Sequence, residues 1–355
     1  MPEIAAQAYF LKAAAAPLER ERLALPSPGR NEAIVEILAC GLCHTDLSYA
    51  SGAVPTKHPL PLVLGHEAVG RIAAAGADVL LPVGTDVLIP AVLPCGVCAL
   101  CRSGRGNACA DQKMPGNDIH GGFSTHMLVP AAPLVSLAQL GAGVDLRALS
   151  VVADAVSTAY QAVRRAGVGA DSLVVTVGAG GVGGFVAQVS KALGARVIAC
   201  DVKADRLEQL RAFGAEHCID VKGKDPGVVR KEVRGVAKEW RIGSERLAIF
   251  ECSGTSEGQL LAFTLLERAA TLLVVGYTPK KIEVRLSNLM AFDAQVLGSW
   301  GCPPEAYPAV LELIRKKRVV LDPFIDYAPM SRLNQLLTAM SEHKLERRMV
   351  LDPKT

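Results

Sequence analysis

The chain has 355 residues, 50% of them hydrophobic and 5% aromatic, with 33 glycines. That length exceeds one compact core, so two domains are expected, and the composition suits an α/β enzyme rich in small residues. A net charge of +3 and a sequence pI near 8.3, with the charges scattered, are too mild to argue for a nucleic-acid partner.

No N-terminal stretch combines the charged start, apolar centre and cleavage site of an export signal. The long uncharged stretch 127–144 is interrupted by Pro130, Pro133, Gly141 and Gly143 and is no membrane helix. Ten cysteines without an export signal point to a reducing cytoplasm, where clustered thiols hold metal more often than they pair. A soluble cytoplasmic protein with no membrane partner is expected.

In chain order, residues 7–11 and 32–39 read as strands separated by the polar, proline-bearing stretch 26–30. Cys40-Gly-Leu-Cys43-His44-Thr45-Asp46 follows, and Leu64-Gly65-His66-Glu67 comes some twenty residues later. A lone cysteine or histidine in apolar surroundings is usually core. With a suitable third ligand, however, the Cys43 thiolate and the His66 imidazole describe an open zinc site. Cys95, Cys98, Cys101 and Cys109 then recur at intervals of three, three and eight, with glycines and charges between them that make poor core. Four thiolates close a tetrahedral zinc, so this lobe, residues 94–110, is expected to be structural.

Residues 173–201 are the strongest fold signal. An apolar run, Leu173 to Val177, stops at Gly178-Ala-Gly180-Gly181-Val182-Gly183; a helical stretch leads to a second run closed by Asp201. Strand, glycine turn, helix and parallel strand form the first βαβ unit of a dinucleotide-binding fold. Gly178 permits the turn, Gly180 the approach of a pyrophosphate, and Gly183 close packing of helix on strand. The helix N-terminus offers free N–H groups to that pyrophosphate. Asp201 follows at about the 20-residue interval of a ribose-binding acid. Its carboxylate would repel a 2′-phosphate, which favours NAD over NADP.

Beyond it, residues 205–213 read as a helix ended by Gly214, 217–220 as a short strand, and 226–239 as a helix with a solvated charged face. Residues 247–254 and 271–276 are buried strands running into glycine turns. The alternation from 156 to 296 is that of a Rossmann-type doubly wound parallel sheet. After residue 297 the chain is expected to return to the first domain, with a helix at 307–317. The expected division is 1–155, 156–296 and 297–355.

The Cys43-His-Thr-Asp-Leu box, Gly65-His66-Glu67, the four-cysteine lobe, Gly121-Gly122-Phe123 and the glycine turn together resemble the zinc-containing medium-chain alcohol dehydrogenases, nearly end to end. The resemblance implies a GroES-like, β-rich catalytic domain beside the Rossmann domain, two zinc ions per chain, NAD, and a homotetramer or dimer built through the edge strand of the cofactor sheet. It implies a catalytic zinc held by Cys43, His66 and Asp154, where many relatives have cysteine in place of that aspartate. Asp154 also reads as a helix N-terminal charge. Glu67 is implied as an adjacent or exchanging ligand, and Asp46 as the acceptor that fixes the His66 tautomer.

Thr45 is implied to take the proton of the substrate alcohol. Ser48 stands where relatives carry the histidine of the proton relay, so the relay ends in water or uses another group such as His44 or His120. Arg206, Cys252, Gly276 and Ser299 are implied to contact the cofactor. Arg348 matches an arginine that pairs with the pyrophosphate, or is an exposed charge near the C-terminus.

Three further stretches, 114–122, 285–293 and 300–302, resemble members of this family that act on a coenzyme A thioester. These oxidise the ring alcohol of 6-hydroxycyclohex-1-ene-1-carbonyl-CoA in anaerobic aromatic degradation. Lys57, Arg102, Arg105, Lys280 and Lys281 are cations available to such a tail. The alternatives are a dehydrogenase of simple alcohols or polyols, and a dinucleotide-binding protein without turnover. A zinc-ribbon nucleic-acid binder is discounted, because the lobe has two arginines and no aromatic residue.

Overall fold

The computed structural model describes residues 4–141 and 143–354; residues 1–3 and 355, at the outer ends of the expected domains, and Ala142 lie outside that description. The chain divides into two compact units, one of Met1–Ser157, Gly301–Glu312 and Leu321–Thr355, the other of Thr158–Trp300 and Leu313–Val320.

The second unit is a six-stranded, all-parallel sheet. From edge to edge its strands are His217–Asp220, Arg196–Asp201, Leu173–Val177, Leu247–Glu251, Thr271–Val274 and Gln295–Gly298. Numbered along the chain this is the order 3-2-1-4-5-6 of a Rossmann sheet, whose direction of winding reverses between the first and fourth strands. Leu173–Val177 and Leu247–Glu251 are buried at every position, as central strands covered on both faces must be. The helix Pro226–Glu239 shows how the sequence directs its packing. Asp225 caps it, accepting from Gly227 N at 2.8 Å, and Pro226 starts it where no N–H is needed. Val229, Val233 and Val236, four and three residues apart, make its buried stripe, each contributing about 1.5–3 kcal/mol of burial.

The first unit carries a seven-stranded, largely antiparallel sheet. Its main path runs Ile325–Pro329, Arg348–Asp352, Glu32–Gly41, Glu67–Ala75, Asp86–Ile89 and Val135–Ser136, with His126–Pro130 also paired to Glu32–Gly41. A smaller sheet places Ile4–Leu11 between Glu19–Leu25 and Leu62–Val63. Glu19–Leu25 escapes a sequence reading because its first four residues, Glu-Arg-Glu-Arg, are all exposed and show no alternation. The helix expected at 307–317 is Tyr307–Arg315, two residues shorter than the sequence suggests; Lys317 has φ +54° and turns the chain, and a last helix, Leu333–Ser341, follows. No helix among the described residues is long and apolar enough to cross a membrane.

Candidate metal and dinucleotide sites

Three neighbouring strands of the first unit end at one place. Gly41 pairs with Glu67 on one side and with Val350 on the other, so the exit toward Cys43 and the entries from His66 and at Arg348 are brought together by strand register alone. Gly41 has to be glycine, since a Cβ there would strike the Glu67 carboxylate. Two residues on, Cys43 caps the helix His44–Ala50, and Asp46 closes the reciprocal cap by accepting from Cys43 N at 2.9 Å. The fourth contributor arrives from elsewhere. A 3-10 segment, Arg147–Ala153, delivers Asp154 just before the helix Ala155–Arg165.

One ligand atom each from Cys43, His66, Glu67 and Asp154 lies within 4.8 Å of all the others. Zinc fits this set on an observation independent of family. His66 is 1% exposed, its Nδ1 is held by Asp46 Oδ1 at 3.2 Å, and its Nε2 is buried without a hydrogen bond, 3.5 Å from Asp154 Oδ2. A buried imidazole nitrogen facing a thiol and two carboxylates, its other nitrogen fixed by a carboxylate, is the arrangement of a metal-ligating histidine. Soft sulfur, nitrogen and oxygen donors together suit zinc.

Glu67 and Arg348 form an ion pair beside this cluster. The Arg348 side chain is 8% exposed, which rules out the exposed-charge reading. Burial pushes the Glu67 carboxyl up to about 7, against the pull of the Arg348 guanidinium. Thr45 Oγ1 lies 3.7 Å from Cys43 Sγ. Ser48 Oγ donates to the His44 carbonyl at 3.0 Å within its own helix. His120, a conceivable relay group, packs edge-on against Phe10 and beside His58, with Val63 N–H donating to its Nδ1. Lys57 is engaged by Asp118 at 3.1 Å.

Sequence reasoning missed Tyr307. It is fully buried; its hydroxyl donates to the Ala153 carbonyl at 2.6 Å and accepts from Ser157 Oγ at 3.1 Å. It thereby fixes the residue before Asp154 from 154 positions away, a connection no local pattern carries.

The four-cysteine lobe is compact and local. Its Sγ–Sγ separations are 3.4 Å (Cys98–Cys101), 3.5 Å (Cys95–Cys109), 3.7 Å (Cys98–Cys109) and 3.9 Å (Cys95–Cys101). Thiolates about 2.3 Å from a tetrahedral zinc stand about 3.8 Å apart, so these sulfurs already outline its coordination shell. The backbone agrees. N–H groups of Val97 and Cys98 pull the Cys95 thiol down to about 7, and Cys101 N–H points at Cys98 Sγ at 3.5 Å.

In the second unit, Gly178 leaves its strand with φ +95°, a conformation that favours glycine, and a Cβ there would also sit 2.7 Å from Ser253. A Cβ on Gly183 would collide with the Gly178 carbonyl, so helix and turn are as close as two backbones can come. Gly180 caps the helix Gly181–Ala192, whose first turn holds Gly181, Val182 and Gly183. Asp201 is 6% exposed; Oδ2 accepts from Ala179 N at 2.6 Å and Oδ1 from Lys203 N at 2.9 Å. Arg206 Nη1 lies 3.9 Å from Asp201 Oδ2. Asp201 thus ties the glycine turn to the end of the second strand and keeps one lone pair on each oxygen for a further donor. Cys252 N bonds the Val177 carbonyl at 2.8 Å, Gly276 N the Glu251 carbonyl at 2.9 Å, and Ser299 N the Val274 carbonyl at 3.0 Å, which sets all three at the carboxyl ends of the parallel strands.

Comparison with known proteins gives a consistent result. Residues 29–139 match the alcohol dehydrogenase GroES-like domain, and residues 181–316 match the zinc-binding dehydrogenase family. Over 337 residues the chain is 28% identical to an alcohol dehydrogenase of Geobacillus stearothermophilus, covering 94% of this chain and 96% of that one. It is 27% identical over 362 residues to a D-arabinose 1-dehydrogenase (NADP(+)) of Saccharolobus solfataricus, covering 99% and 98%. Among solved structures, galactitol-1-phosphate dehydrogenase from Escherichia coli superposes with a TM-score of 0.87 at 22% identity, covering 98% of this chain and all of that one.

Proposed function

The chain belongs to the zinc-binding medium-chain alcohol dehydrogenase family, a family of zinc-dependent oxidoreductases, and from that premise we propose that it oxidises a secondary ring alcohol to a ketone with NAD. The substrate we infer is 6-hydroxycyclohex-1-ene-1-carbonyl-CoA, giving the 6-oxo thioester. The observation that carries the reaction class is the buried cluster of Cys43, His66, Glu67 and Asp154 with an unpartnered imidazole nitrogen.

Zinc held there by Cys43, His66 and Asp154, with Glu67 in reach, would supply Lewis acidity to an alcohol oxygen. NAD, when bound at the glycine turn, is the hydride acceptor. The chain's own part is positioning and proton handling. Asp46 holds His66 through Nδ1 and anchors Gly65 N and Cys43 N, so one carboxylate aligns two candidate ligands. Thr45, at the head of the same helix, takes the alcohol proton on its Oγ1. Ser48 has its hydroxyl engaged by the His44 carbonyl, and the proton passes from Thr45 to water. The carbinol carbon loses a hydride and its oxygen a proton, which balances the two-electron oxidation. Asp201 supports NAD over NADP, although the D-arabinose relative is named for NADP(+). The thioester reading is supported by residues 114–122, 285–293 and 300–302. The names of the relatives support simple alcohols or sugars equally. Self-assembly through the edge strand Gln295–Gly298 is supported by the exposure of Leu286, Met290, Val296 and Trp300.

The test is NADH formation with the thioester beside ethanol, cyclohexanol and sorbitol, with zinc counted and the sedimentation coefficient measured on the same sample. Turnover with the thioester alone, at two zinc ions per chain, is expected. Turnover with the simple alcohols or sorbitol instead retains the zinc chemistry and removes the coenzyme A assignment.

A further inference from the structure

Glu251 is a buried acid with no part in the chemistry above. It ends the central strand Leu247–Glu251 and is 0% exposed, flanked in sequence by four buried apolar residues. Burying a carboxylate among such residues is costly unless donors compensate it. Oε1 has three: Ser253 N at 2.8 Å, Ser253 Oγ at 2.6 Å and Gly254 N at 3.2 Å. Oε2 has no hydrogen-bond partner and lies over Gly276, 2.7 Å from where a Cβ on that glycine would stand. The main-chain carbonyl of the same residue accepts from Val275 N at 3.0 Å and Gly276 N at 2.9 Å.

The loop gripped in this way is the wall of the glycine turn. Gly178 comes so near Ser253 and Cys252 that no side chain would fit, and a Cβ on Gly183 would stand 3.2 Å from Cys252 Cβ. Ser253 Oγ passes the connection on to Thr255, which caps the next helix by accepting from Gly258 N at 3.0 Å. One residue therefore holds the loops leaving two adjacent strands, the first through its carboxylate and the second through its main-chain carbonyl, at the reversal of the sheet where a dinucleotide would lie.

We propose that Glu251 is a positioning residue for the dinucleotide: it fixes the 252–254 loop and Gly276 relative to the glycine turn, and so sets the width of the pyrophosphate and ribose crevice. The proposal rests on the reading of this unit as a dinucleotide site. Burial raises the pKa of Glu251 while donors on Ser253, Gly254 and Gly276 oppose the rise, in keeping with a carboxylate held for its acceptor geometry.

The test is NADH binding, followed by its fluorescence, to the zinc-loaded wild type, Glu251→Gln and Ser253→Ala. The amide of Glu251→Gln retains the volume and can set its oxygen where Oε1 accepts, but it is neutral and places an NH2 group over Gly276. Its dissociation constant for NADH is expected to rise about tenfold, as when a charge-assisted hydrogen bond is lost. The KM for the dinucleotide should rise with it, while the KM for the alcohol and the zinc content hold. Ser253→Ala removes one donor and leaves the acid, and a rise of roughly threefold is expected. It decides the matter if Glu251→Gln does not fold. Unchanged NADH affinity in the folded variants, or a lowered melting temperature without a change in affinity, would overturn the positioning role. A wild type that binds no NADH would instead overturn the dinucleotide reading itself.

Discussion

The two candidate metal sites of the first unit are built on opposite plans. The lobe takes all four donors from fifteen consecutive residues, every donor is sulfur, and the sulfurs stand in a near-tetrahedral shell. The other cluster draws on positions 43, 66, 67 and 154, mixes sulfur, nitrogen and oxygen, and leans on Asp46, Arg348 and Tyr307 for its alignment. A closed thiolate shell leaves no place for a substrate, whereas a mixed shell assembled by the fold can leave one open. The comparison predicts that damage to the first site is felt as stability, and damage to the second as chemistry.

The largest effect should come from Cys43→Ser. It is expected to take oxidation of the alcohol to background and zinc from two per chain to one, with NADH binding retained because the glycine turn lies in the other unit. Full turnover at wild-type zinc content would break the distinction between the sites. Cys98→Ser should show the complementary pattern, with one zinc lost and the melting temperature down by roughly 10 °C, the scale on which loss of a structural metal is felt in a domain of this size. Activity per remaining folded molecule should be affected far less. Equal losses of activity in the two variants would show that the lobe is coupled to the chemistry.

Asp46→Asn sharpens the contrast by leaving every ligand in place. An amide can still accept from Gly65 N or Cys43 N but no longer offers His66 Nδ1 a charged acceptor. A fall in kcat/KM of about 10- to 100-fold is expected, as for other carboxylate partners of metal-bound histidines, with the lobe zinc unaffected. Wild-type kinetics for this variant would remove Asp46 from the site.

The same contrast explains what could be read from the chain before its structure. The lobe was legible because its information is local: spacing alone specifies four sulfurs around one centre. The glycine turn was legible for the same reason, since strand, turn, helix and acid are contiguous from 173 to 201. Cys43 and His66 could be picked out singly, yet Asp154 came only through family resemblance, because nothing in its neighbourhood distinguishes a ligand from a helix-terminal charge. The Glu67–Arg348 pair spans 281 positions and depends on two strand registers meeting at Gly41. Glu251 gave a faint signal, an acid closing an apolar strand, whose meaning depends on loops that fold back from 253 and 276. Substrate choice was the least legible, since it is set by side chains around the reacting carbon and not by the motifs that hold metal and cofactor.

Tyr307→Phe probes the weakest link in that chain of supports. The Ala153 carbonyl keeps a second donor, Ala91 N at 3.1 Å, so removing the hydroxyl costs about 1 kcal/mol and does not leave a fully orphaned acceptor. Its main consequence should be a loosening of the turn that delivers Asp154. Since Tyr307 acts on the residue before the ligand, zinc affinity at the mixed cluster should fall by less than the roughly 10-fold seen for direct partners. Competition with a chelator, read separately for the two zinc ions, would measure it. An unchanged release profile would mean that Arg147–Ala153 holds Asp154 by its own packing, while equal weakening of both ions would mean that the two sites are not mechanically separate.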